Sequence, residues 1–388
     1  MRRPREPCPP WSDGLPPELL DIILRYLTCL ADRVYFAAVC RAWRSAAQVH
    51  KGTPCQVPCL LLPSPVAPSF LSLQSGATRR LYLPEGVRAA RLCGSHEDGW
   101  VALALDQWRG YAALNLRSGA MVPLPDRLRI PSEHGWIDTT CEHPMVIRTV
   151  TFSGTPSTDG SLAAAHVSSA SNIAFWRTGM DRYWIACRRN VDVIEDIIYY
   201  KEGFYVLSNT EDIVVYTPNI VDGDDPLVMS STSYLVQKRA DYKPDSRLPK
   251  GVSMSRYLVE SRGKLLMILR HFKHKQRREF RIFEMNLAVG GGGSEASWVE
   301  LHALPGRMLL LGRGCSRAFE VSQFDTLPVG NIYYLNDTSF NLSLASSNGS
   351  WYPRTNMSVY DFHKPRNKTR RYPRKFTSEC SVPIWFIP

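Results

Sequence analysis

Residues 197–218 read IIYYKEGFYVLSNTEDIVVYTP. Ile197 to Tyr200 are apolar and β-branched or aromatic, Glu202-Gly203 is a tight-turn signal, and Phe204 to Asn209 form a second apolar run. A polar turn follows, and Ile213 to Thr217 make a third run. Short β-prone runs separated by such turns are strands joined as hairpins. Residues 257–287, YLVESRGKLLMILRHFKHKQRREFRIFEMNL, repeat the outline: strand, turn at Arg262-Gly263, strand, polar turn, strand. A fourth strand, as in SWVEL at 297–301, completes a four-stranded blade of about 40 to 50 residues.

Working outward, the same signature recurs in WVALAL from Trp100, YAALNL from Tyr111, IAFWR from Ile173, RYWIAC from Arg182, IYYLN from Ile332 and SVYDF from Ser358. LYL at 81–83 is a further expected strand. Helical periodicity is nearly absent after residue 50, and roughly 310 residues at this period give about six or seven blades. The expected fold is mainly β with a small α module, and the ring is assigned to residues 51–388, including a Pro/Ser-rich connector at 63–78. A closed ring must pair its ends, because an open sheet edge leaves N–H and C=O groups without partners. Val57–Leu62 and Val382–Ile387 are the strands available, and the first is expected to join the last blade. Trp100, Trp108, Trp136, Trp176, Trp184, Trp298 and Trp385 are expected to pack between blades.

The N-terminal stretch from Trp11 to Gln48 is different: it is helical. Pro16, Pro17 and Glu18 suit a helix start, where proline has no N–H to lose and a carboxylate faces the positive dipole end. Leu19, Leu20, Ile22, Ile23, Leu24, Tyr26 and Leu27 then cover an arc of roughly 200° at about 100° per residue. One core buries a stripe only a little over about 100° wide. A second helix is expected after Asp32, with Tyr35, Phe36, Val39, Cys40 and Trp43 on one face. A unit of about 40 residues with surplus apolar surface calls for a partner or for the protein's own core. Residues 1–10 are expected to be disordered and 11–50 to form this unit.

Leu15-Pro16, then Leu19, Ile23 and Leu27, then VCRAWR from Val39 to Arg44, resemble an F-box, a three-helix module. NIYYLND, MSVYDF and the terminal PIWFIP, with ALNLRSGAMVPLP, YLVESRGKLLMILR and SWVELHALPGRMLLLGRGCS before them, are similar to the plant F-box family with a KIB-type β-propeller. The resemblance implies the substrate-recognition subunit of an SCF-type (Skp-cullin-F-box) ubiquitin ligase. The F-box would dock to the Skp adaptor, and through it to cullin, by Leu15, Pro16, Leu19, Leu20, Ile23, Leu27, Val39 and Trp43. The propeller would hold an unknown target protein, and the chain itself would do no bond chemistry. Two segments depart from the family pattern, GGGG at 290–293 and the polar run 336–356.

The formal net charge of +11 favours acidic partners. Part of it is RHFKHKQRR, where Arg270, Lys273, Lys275, Arg277 and Arg278 form a candidate acidic-partner patch at a hairpin tip; another part is HKPRNKTRRYPRK from His363. The alternative reading is a basic β-rich nucleic-acid-binding or scaffold protein with structural N-terminal helices; under the resemblance nucleic acid is not an expected partner. No phosphate loop, H-E-x-x-H or G-x-S-x-G motif occurs, so no enzyme, cofactor or metal is expected. The ten cysteines include no CxxC pair, which reads as free thiols in a reducing compartment. No apolar run approaches a membrane span, and the basic N-terminus has no apolar signal region. The expected location is the cytoplasm, the nucleus or both.

Overall fold

The structure, a computed structural model, describes residues 15–387 except 28–31, 33–35, 38, 50–57, 106–109, 133, 139–144, 169–171, 180–181, 188–190, 220–227, 235, 251, 274–278, 289–294, 325–326, 336–355, 372–377 and 379–380. The expectations for residues 1–10, Trp108, the GGGG run and the body of the 336–356 run therefore lie outside the described residues. The chain divides into two compact units between Pro58 and Cys59.

The second unit is a six-bladed β-propeller. Blade I carries β1 (Cys59–Leu62), β2 (Ser69–Ser72) and β3 (Thr78–Arg80); blade II carries β4 (Arg91–His96), β5 (Trp100–Ala104), β6 (Tyr111–Asn115) and β7 (Met121–Leu124). A hairpin, β8 (Leu128–Ser132) and β9 (Gly135–Asp138), precedes blade III, which is β10 (Ile147–Phe152), β11 (Leu162–Val167), β12 (Ile173–Arg177) and β13 (Trp184–Ala186). Blade IV is β14 (Ile194–Tyr200), β15 (Gly203–Ser208), β16 (Ile213–Asn219) and β17 (Val228–Tyr234). After the short β18 (Val236–Gln237), blade V is β19 (Val252–Ser261), β20 (Lys264–Lys273), β21 (Glu279–Ala288) and β22 (Glu295–Leu301). Blade VI is β23 (Arg307–Leu311), β24 (Arg317–Glu320), β25 (Asn331–Leu335), β26 (Asn356–Asp361) and β27 (Arg366–Arg371), and the last strand is β28 (Ile384–Phe386).

Six blades fall within the expected count. The strands β28, β4, β10, β14, β19 and β24 each end their sheet and pack successively side by side, so they line the centre of the ring. Blades buried on both faces need continuous apolar runs rather than alternation. Accordingly β5, β6, β11, β15 and β23 are buried along their whole length. Where inner strands approach closely only small residues fit. A Cβ on Gly94 would lie 2.4 Å from the Val150 carbonyl oxygen, which fixes β4 against β10.

The ring closes between β28 and β1, in antiparallel register Cys59↔Phe386, Leu60↔Trp385 and Leu61↔Ile384. The two chain ends do pair as expected, but the direction differs: the last strand enters the first blade as its innermost member. Trp385 is fully buried and donates its indole N–H to the Leu311 carbonyl of blade VI at 2.9 Å. Trp298 reaches from blade V to the Glu211 carbonyl beside blade IV, and Trp184 from blade III to the Pro125 carbonyl, both at 2.9 Å. Trp136 departs from this inter-blade role: β9 ends the sheet of blade III, and its Trp136 is 45% exposed.

Three further expectations are corrected. The run 63–78 is no mere connector, because β2 lies inside it and β3 begins at its end. LYL at 81–83 is not a strand. The β14–β15 turn centres on Lys201-Glu202, at φ 44° and 62°, with Gly203 paired to Tyr200 as the first residue of β15. Two successive positive φ values match the primed turns that the strand twist favours.

Candidate functional site

The N-terminal unit carries the candidate docking surface. Its first helix, α1, spans Pro17–Tyr26, and α2 spans Arg41–Val49; Phe36, Ala37 and Val39 between them are also helical. The helical stretch expected to run on from Asp32 through Trp43 is thus interrupted at Cys40. Glu18 sits in the first turn of α1, and the backbone N–H of Leu27 closes its end on the Ile23 and Leu24 carbonyls. Asp21 and Arg25 form an exposed i,i+4 pair at 2.8 Å, of a kind that adds only a few tenths of a kcal/mol.

The unit's own core is Leu20, Leu24 and Phe36, with Leu15, Ile23, Leu27, Trp43, Ala46 and Ala47 packed against it. Phe36 and Trp43 meet at a ring-centroid distance of 4.4 Å. Burial of Leu20 and Leu24 supplies roughly 1.5–3 kcal/mol each, close to all that one helix face of so small a unit can contribute.

A second apolar stripe on α1 is left outside this core. Leu19 is 44% exposed, Ile22 47% and Tyr26 82%, and Val39 is also exposed at 56%. Positions 19, 22 and 26 share one helix face, turned roughly 150° from the stripe that holds Leu20 and Leu24. Contiguous exposed apolar surface of this kind marks an interaction site. The expected docking residues therefore separate. Leu19, Val39 and Pro16 are exposed; Leu15, Ile23, Leu27 and Trp43 are half-buried against the unit's core; Leu20 is buried and belongs to that core. Ile22 and Tyr26 were missing from the expected set, although the 200° apolar arc contained both.

The expected acidic-partner patch does not form as a unit. Arg270 is 1% exposed; its Nη1 donates to the Leu335 carbonyl at 2.9 Å, and its guanidinium lies 4.5 Å from the Tyr334 ring centre. It ties β20 to β25, so a charge at the end of a central strand serves blade packing. Lys273 ends β20, and Lys275, Arg277 and Arg278 lie outside the described residues.

The charged groups of the ring are engaged with each other. Arg256 is fully buried on β19 and meets Asp245 at 2.8 Å, Glu211 at 3.4 Å and Glu195 at 3.6 Å. Burial pulls its pKa down, but these three carboxylates outweigh that and hold the guanidinium above its usual range. Arg239 joins the cluster through Glu211 and Asp241. Asp196, buried on β14, accepts the backbone N–H groups of Ile197 and Leu258, and burial pushes its carboxyl up to about 7. These groups clamp blade IV to blade V. The arginines pair with the Glu and Asp carboxylates around them and Asp196 is held by backbone N–H groups, an arrangement suited to rigidity rather than to proton transfer. Among the described residues no group of three or more His, Cys, Asp and Glu side chains is placed to hold a metal ion.

Comparison with known proteins agrees with both units. The model of the KIB1-4 beta-propeller family matches residues 70–361, and the F-box-like model matches residues 12–50. No curated protein matches the chain. Similar solved structures include TolB from Acinetobacter baumannii, at 10% identity and TM-score 0.40, covering 88% of this chain and 70% of that one. The Cps50 (Swd1) β-propeller domain of Myceliophteria thermophila matches at 13% identity and TM-score 0.36, covering 82% and 81%. A nidogen/laminin complex matches at 10% identity and TM-score 0.35, covering 82% and 95%.

Proposed function

The chain belongs to the KIB1-4 β-propeller family, and from that membership and its F-box-like N-terminus we propose that it is the substrate-recognition subunit of an SCF-type ubiquitin ligase. The F-box-like unit docks to a Skp-type adaptor, and through it to cullin, while the propeller holds a target protein. The chain then acts by proximity, placing a target lysine near a charged conjugating enzyme, and performs no bond chemistry itself. The observation that carries the reading is the unburied stripe of Leu19, Ile22 and Tyr26 on a unit too small to cover it. Among the described residues no helix is long and apolar enough to cross a membrane, and the proposed location is the cytoplasm, the nucleus or both.

The test is co-purification of the Skp adaptor with the full chain. Replacing exposed Leu19 and Ile22 by Asp places two charges in the interface, where burial without a partner is costly. Adaptor binding is expected to fall at least a hundredfold with the melting temperature unchanged. Undiminished adaptor recovery by this double variant overturns the docking surface.

A further inference from the structure

The turn between β23 and β24, Arg313-Gly314-Cys315, sits at the centre of the ring. Arg313 donates to the backbone carbonyl and the carboxylate of Glu195 on blade IV, and the Gly314 carbonyl accepts the Ser95 N–H of blade II at 3.2 Å. Gly314 has φ 68°, and a Cβ there would meet Thr149 of blade III at 3.3 Å. Beside this turn lies a cavity of about 40 Å³, lined by Arg91, Arg148, Thr149, Arg313 and the Val382–Ile384 segment leading into β28, among others. Its guanidiniums come from three different blades. Arg91 is 2% exposed, whereas Arg148, Thr149, Arg313 and Val382 are only partly buried, so the cavity is reached from solvent on their side.

We propose that this cavity is a binding site for a phosphate-sized oxyanion, held by Arg91, Arg148 and Arg313 at the seam where the ring closes. Guanidinium groups are the side chains best matched to phosphate oxygens, through paired N–H donors and a charge that is not lost near neutral pH. The volume fits: on this scale each water takes about 10–15 Å³, so the space equals roughly three waters, close to one tetrahedral oxyanion and too small for a chain of them. Two of the same arginines act on His166. Burial first, then Arg148 and Arg313, drives its imidazole well below the ordinary histidine range. Arg313 is paired with Glu195 at 3.0 Å, while Arg91 and Arg148 bring two further positive charges to the cavity wall from blades II and III. Arg91 donates to the Ile147 carbonyl at 2.6 Å, which fixes its head group against β10. The inference stands on the ring alone and is independent of adaptor docking.

Because the lining includes blades II, III and VI and the strand that closes blade I, an anion bound there ties the seam together. Binding to the native state alone raises stability in proportion to the logarithm of ligand excess. The experiment is thermal unfolding of the full chain in inorganic phosphate against chloride at matched ionic strength, with calorimetric titration of phosphate. A saturable rise of roughly 3–5 °C at about a hundredfold excess over Kd is expected. Arg148→Gln, chosen because Arg148 is partly exposed, is expected to weaken phosphate at least tenfold. Should Arg148→Gln fold poorly, Arg148→Lys serves, and an intermediate affinity is expected. Competition by phosphoserine would assign the site to a phosphate monoester carried on a larger molecule; competition by inorganic phosphate only would assign it to the free ion. A phosphate effect no larger than that of chloride, or one retained in full by the Arg148 variants, overturns the proposal.

Discussion

Trp385→Ala tests how the ring is closed. The side chain is fully buried in β28, between Ile384 and Phe386, which are 2% and 1% exposed. Truncating a buried Trp costs about 3–5 kcal/mol in lost transfer energy and residual cavity. The Leu311 carbonyl, which accepts the indole N–H at 2.9 Å, is then left without that donor inside the protein, adding about 1–3 kcal/mol. The total, about 4–8 kcal/mol, is a large share of the 5–15 kcal/mol by which domains are usually stable. With an unfolding entropy of about 2.1 cal/mol/K per residue over roughly 330 residues, this corresponds to a fall of roughly 6–12 °C in Tm. Trp385→Phe keeps most of the apolar area and loses the donor, so its fall should be about a third as large. Differential scanning calorimetry of the full chain reads both. An unchanged Tm in Trp385→Ala, or equal falls for the two variants, would refute closure through this strand.

Other outcomes follow from the same contacts. Arg256→Met removes the fully buried guanidinium shared by Glu195, Glu211 and Asp245, leaving Glu195 to Arg313 and Glu211 to Arg239, and should cost about 3–5 kcal/mol in urea unfolding. Burial raises the Asp196 carboxyl from 3.8 to about 7, so the fold holds its proton more tightly than the unfolded chain does. The stability this supplies is complete below about pH 4 and is lost as pH rises through 7; the advantage of wild type over Asp196→Asn should shrink across that window, and urea midpoints at pH 5 and 8 check it. Gly94→Ala would set a Cβ against the Val150 carbonyl, a backbone atom that cannot turn aside, and should lower Tm by several degrees. Leu20→Asp should unfold the N-terminal unit itself, read as loss of helical circular dichroism, whereas Leu19→Asp should not.

The blades were legible where apolar strands sit between strong turn signals, as from Ile194 to Asn219 and from Val252 to Leu301. They were not legible where burial on both faces selects small residues. Leu162–Val167, LAAAHV, is a fully buried strand whose alanines carry no β signal, and Arg91–His96 is a strand containing Arg, Gly and His. Local pattern also misreads charge: Arg270 follows five fully buried residues, yet its basic neighbours in sequence made it look like part of a surface loop. In the docking unit the width of the apolar arc was readable. Which half faces inward was not, because that depends on Phe36 packing against Leu20 and Leu24 from outside the helix.

The pairing of Cys59–Leu61 with Ile384–Phe386 also sets an order of events on the ribosome. Blade I waits, with an inner edge exposed, until residues 384–386 have been made, while the helices that end at Val49 are complete long before. At about 5–20 residues per second the interval is roughly 20–70 s. The N-terminal helices are therefore complete while the ring is still open. An unclosed ring offers its exposed sheet edge as a template for pairing with another chain, and that hazard lasts until Ile384–Phe386 pair with Cys59–Leu61.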